Sequence, residues 1–68
     1  MNQQQAERQA AKSSKTEGAQ YVVWVCDEGR RIFNREQARR YAPLVHIECL
    51  YVDGVRINAE TAQKLVTL

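Results

Sequence analysis

The longest unbroken apolar run in this chain is Tyr21, Val22, Val23, Trp24, Val25 and Cys26. Aromatic and β-branched throughout, the run has the composition of a strand, and one covered on both faces, because neighbouring side chains point to opposite sides. A second run covers residues 45–52. Period-two reading sends Val45, Ile47, Cys49 and Tyr51 one way and His46, Glu48, Leu50 and Val52 the other. Each run is followed by a turn signal, Asp27-Glu28-Gly29-Arg30 and Asp53-Gly54, and then by a short returning strand, residues 31–33 and 55–57. Each return ends on an asparagine suited to cap a helix, Asn34 and Asn58. Gln37, three residues after Asn34, completes a capping-box pattern.

Two helices are thereby predicted. The first spans about residues 35–42 and is stopped by Pro43, since the residue before proline avoids the α region. Its inward face carries Ala38, Tyr41 and Ala42. The second spans about residues 59–66, with Ala59, Ala62, Leu65 and Val66 inward. The two halves are alike: Gly turn, short strand, Asn cap, helix. The expected fold is therefore a small α+β domain of ββαββα order, with a four-stranded, mostly antiparallel sheet and both helices on one face.

The first nineteen residues differ. They hold Gln, Ala, Lys, Ser and Glu but no aromatic or β-branched aliphatic side chain. Residues 2–12 have fair helix propensity but lack an apolar stripe, so any helix there would be transient in isolation. Residues 1–19 are expected to be a disordered polar tail, and residues 20–68 the compact domain. With helices on one side and a polar tail, the other sheet face would lie open. Tyr21, Val23, Val25, Leu50 and Val52 are the candidate dimer or partner face, and a homodimer is the expected solution.

Composition narrows the function by exclusion. At 68 residues there is room for one domain with a small core. No apolar run approaches the length of a membrane span, and the start of the chain lacks a secretory signal's apolar stretch, so a cytoplasmic protein is expected. Cys26 and Cys49 have no chelating spacing and read as two reduced, buried thiols acting as small apolar residues. With His46 and Glu48 they are too few and too scattered for a zinc set. A Cys–His nucleophile would also need an orienting group, oxyanion donors and a cleft. Neither metal nor cofactor is expected.

The net charge of +2 does not by itself imply a polyanionic partner. Its distribution does more: Arg30, Arg31, Arg35, Arg39 and Arg40 share one window with a single acid, Glu36. Solvated cover is the simplest account, with Glu36 paired to Arg39 or Arg40. Guanidinium groups also suit phosphate and carboxylate. The stretch Arg35-Glu36-Gln37-Ala38-Arg39-Arg40-Tyr41, followed by Leu50-Tyr51-Val52-Asp53-Gly54-Val55-Arg56-Ile57, resembles the helix-then-hairpin part of S4-type RNA-binding domains. Here a β-hairpin stands where that family has its leading helix, and residues 43–49 form a longer connection. The expectation is a small non-enzymatic protein that binds, and regulates or inhibits, a macromolecular protein partner. The alternative is a nucleic-acid-binding protein using the Arg-rich hairpin and the helix after it.

Overall fold

The two tight turns set the sheet's geometry. Asp53 and Gly54 both take positive φ, 50° and 81°, as a two-residue hairpin turn matched to strand twist requires. The other hairpin uses a longer loop. Asp27 has φ 72° and Gly29 φ 81°, and the Glu28 N–H donates to the Val25 carbonyl at 3.1 Å. The computed structural model describes residues 2–67, so Met1 and Leu68, the outer ends of the expected tail and domain, lie outside the described residues. Along the chain run α1 (Gln3–Ser14), β1 (Gln20–Val25), β2 (Gly29–Asn34), α2 (Arg35–Tyr41), a 3-10 turn (Ala42–Leu44), β3 (His46–Val52), β4 (Val55–Asn58) and α3 (Ala59–Val66). The sheet order is β2-β1-β3-β4, with every neighbouring pair antiparallel. The expected α+β domain with its four-stranded antiparallel sheet is present. α2 and α3 cover one face, where Tyr21, Val23, Phe33, Ala38, Ile47, Leu50, Ala62 and Val66 form the larger core.

The chain's first segment departs from expectation. It is not a disordered tail: α1 lies on the opposite sheet face, with Ala6 and Ala10 fully buried against Val22, Cys49 and Tyr51. Asn2 caps it, in a capping box with Gln5. Ala6, Ala10 and Ser14 recur every four residues and are its buried positions. Small side chains let the helix lie close to the sheet, so the bulk of that second core comes from the strands. The face expected to be open is therefore filled from within the chain.

A second departure is a register shift between β1 and β3. Val22 pairs with Cys49 but Val23 with Ile47, leaving Glu48 unopposed. Such a β-bulge reverses the alternation on one side of it. Ile47 accordingly joins Leu50 in the α2–α3 core, while Cys49 and Tyr51 face α1. Strict period two had put Ile47, Cys49 and Tyr51 together.

Candidate functional site

The five arginines of the basic window do not form one surface. Arg30 pairs across β1 with Trp24 and stacks over its indole, 5.1 Å from the ring centroid. It is held there by two hydrogen bonds to the Glu48 carboxylate, Nε to Oε1 at 2.6 Å and Nη2 to Oε2 at 3.2 Å. The bulge residue thus captures this arginine. Arg31, one residue on, must point to the other sheet face; it pairs with Glu28 at 2.9 Å. Arg35, Arg39 and Arg40 stand on α2. Arg40 lies 3.8 Å from Glu36, both well exposed, a pair worth little to stability. Arg39 donates to the Val66 carbonyl at 3.5 Å, joining α2 to the end of α3. Burial pushes the Tyr21 hydroxyl up from its ordinary value, and the nearby Arg35 and Arg39 charges pull against that rise.

The candidate partner face is redistributed as well. Tyr21, Val23 and Leu50 are at most 1% exposed beneath α2 and α3, so they are core and cannot meet a partner. Val52 is exposed beside the β3–β4 turn, where it pairs with Val55. Val25 is half-buried and remains at a surface. It lines a groove of about 390 Å³ together with Glu28, Arg31, Phe33, Gln37, Tyr41, Leu44 and Val45.

This groove was not visible in the sequence, and local chemistry explains its shape. α2 ends at Tyr41 and the chain tightens into the 3-10 turn containing Pro43. The short helix does not reach the tip of the β1–β2 hairpin, so that end of the sheet face is left uncovered. Phe33 forms the floor and is 9% exposed. Tyr41 packs on it with ring centroids 5.6 Å apart, yet stays 41% exposed, and Leu44 beyond it is 77% exposed. Tyr41 had been expected inward with Ala38 and Ala42. Ala38 alone of these is fully buried, because the helix turns Tyr41 to its flank. The one signal in the sequence was Leu44 itself, an apolar residue directly after Pro43 with no element to bury it.

On the α1 side, polar contacts converge on Glu7. Its carboxylate accepts from the Tyr51 hydroxyl at 2.8 Å, from Arg56 Nε at 2.7 Å and from Gln3 Nε2 at 3.0 Å. Burial raises the Glu7 pKa, but the hydrogen bonds from Arg56, Tyr51 and Gln3 outweigh it and hold the carboxyl below its ordinary 4.5. Burial, with the Glu7 carboxylate beside it, pushes the Tyr51 hydroxyl up to about 12. Cys49, fully buried under α1, is pushed up to about 11, chiefly by burial, the opposite of what a reactive thiolate needs. Both cysteines are free; Cys49 is buried as expected, but Cys26 is exposed, because β1 ends at Val25 and Cys26 falls in the hairpin loop. Among the described residues no three His, Cys, Asp or Glu side chains gather as a metal set would require. No helix among the described residues is long and apolar enough to cross a membrane.

Comparison with known protein families, curated proteins and solved structures found nothing that matches this chain.

Proposed function

We propose that this protein is a small, non-enzymatic binding module of the cytoplasm that recognises a protein partner through the groove between the β1–β2 hairpin tip and the α2 end. It regulates or inhibits that partner by occupying a surface. The observation that carries this reading is the exposure of Leu44 and Tyr41 at the lip of a largely apolar groove; Trp24, Val52 and Val55 are exposed too, but they do not line it. Leu44 is held out on a proline-stiffened turn, so little conformational entropy is lost when a partner covers it. Arg31 lines the groove with its ion-pair partner Glu28, and α2, which supplies Gln37 and Tyr41 to it, carries three arginines against one glutamate elsewhere on its surface. A segment offering a bulky apolar side chain flanked by acids fits this arrangement in shape and charge. The homodimer expected from an open sheet face loses its premise now that α1 fills that face, and the reading takes the partner to be a different protein.

A displayed library of random peptides, selected against the full chain, tests the reading. Enriched peptides should carry an aromatic or aliphatic residue next to Asp or Glu. They should shift the amide signals of residues 25, 33, 41 and 44, and lose binding to Leu44→Asp, whose fold is unchanged because the site is exposed. Peptides that bind Leu44→Asp as well as wild type would sink the proposal.

The second reading, nucleic acid, has one observation in its favour. Arg8, Lys12 and Lys15 on and after α1, and Arg35 on α2, form no salt bridge among the described residues. Retention of a 20-base-pair duplex or single strand that weakens steeply with salt would support it.

A further inference from the structure

We infer that α1 is a releasable cover: it leaves the sheet as a unit while the rest of the molecule stays folded, baring the face that holds Val22, Cys49 and Tyr51. The contact is built unevenly. α1 buries Ala6, Ala10 and Ser14 and inserts no large side chain into the molecule. The bulk of that small core, Val22, Cys49, Tyr51 and half-buried Ile32, belongs to the strands. Part-buried Ala11 and the Lys15 stem over Gly54 add a little apolar contact, and the rest of the attachment is polar. Glu7 is held by Tyr51 and Arg56, and the Ser14 hydroxyl accepts from the Gly54 N–H at 2.8 Å. On release water can satisfy each of these groups, so the net contribution of each is far below its gross strength.

What remains after release is complete. α1 contributes no strand, and every sheet pairing lies within β1 to β4. The larger core, with Tyr21, Val23, Phe33, Ile47, Leu50 and Val66, lies wholly on the other face. A sheet with two helices on one side is a self-sufficient two-layer arrangement. The connection to β1 can act as a hinge: Lys15, Thr16, Glu17 and Gly18 are exposed, and Gly18 has φ 90°. Sub-global opening of this kind occurs where a segment holds few apolar contacts of its own. The bared face would join exposed Trp24 in an apolar surface that the closed molecule does not present.

Cys49 reports the opening directly, since it lies under α1 and is fully buried. The experiment uses the full chain with Cys26→Ser, leaving Cys49 as the thiol, and follows its reaction with an aromatic disulfide at low urea. Local release predicts that Cys49 reacts at least tenfold faster than global unfolding allows, with a shallow urea dependence. Glu7→Gln should raise the rate about tenfold, as expected for losing a charged hydrogen bond. Val66→Ala, in the other core, should lower global stability and leave the rate unchanged. The inference is overturned if Cys49 reacts no faster than global unfolding permits, with Val66→Ala accelerating it in proportion to the stability lost. Should Val66→Ala fail to fold, the urea slope of the Cys26→Ser protein decides: a slope equal to the equilibrium value means that Cys49 is reached by unfolding the whole molecule.

Discussion

Glu7 is one carboxylate shared by a strand tyrosine, a strand arginine and a helix glutamine. Its effect on stability has a definite sign. Because its folded-state pKa lies below the ordinary 4.5, the stabilisation is fully present above that ordinary value and is lost as the pH falls through the lower folded value. The groups facing it across the contact, Tyr51, Arg56 and Cys49, keep their protonation in this range, since burial raises Tyr51 to about 12 and Cys49 to about 11, and Arg56 is raised from its ordinary value by the hydrogen bond to Glu7. Stability measured by urea unfolding should therefore fall on acidification below about pH 4.5. Glu7→Gln should be the less stable protein at neutral pH and show a flatter acid limb, the two converging at the lowest pH. Parallel acid limbs would mean that Glu7 is not the group responsible.

Among the elements, the helices start on recurring chemistry. Asn34 accepts from the Gln37 N–H at 2.8 Å and its own N–H donates to the Gln37 side chain at 3.0 Å. Asn58 accepts from the Thr61 N–H at 3.0 Å, and no reciprocal bond is present there. Either asparagine changed to alanine should cost about 1 kcal/mol, and Asn34→Ala should cost the more, because the box is broken on both sides. Paired urea titrations of the two variants measure the difference. These caps, both hairpins and the two later helices were legible in the sequence because each rests on neighbours within a few residues. α3 falls on the residues expected for it, 59–66. α1 was not legible for a physical reason. Its docking stripe is Ala6, Ala10 and Ser14, whose small size permits close approach but leaves no apolar signature. The cap Asn2 and the four-residue spacing were the available signs. The bulge at Glu48 was equally hidden, since a register shift depends on the partner strand. The candidate site was legible in part. The arginine cluster could be read, but its division between two sheet faces follows from alternation along β2 and from the Glu48 bulge. The groove exists because α2 is one short helix over a longer hairpin.

For the whole molecule, the sheet is covered on both sides by its own chain, α1 on one and α2 with α3 on the other. The edges are β2 and β4, which carry Arg30 and Arg31 and Arg56 respectively, charges that discourage edge-to-edge pairing. The free protein should therefore sediment as a monomer at micromolar concentration, with an unfolding midpoint that does not move on dilution. A midpoint that rises with concentration would restore the dimer. Within the monomer the two ββα units meet along antiparallel β1 and β3, a pseudo-two-fold topology from which α1, the unequal hairpin loops and the Glu48 bulge depart. The 3-10 turn Ala42–Leu44 links them at the surface. A chain cut after Leu44 would fall into two pieces, each a hairpin and its helix, the first with α1 as well, and each with one newly bared strand edge and part of the larger core. Neither piece has enough interior to fold by itself. Each carries the missing half of the other, so the site of the cut makes this protein a natural starting point for a split reporter, silent as fragments and restored by whatever brings them together.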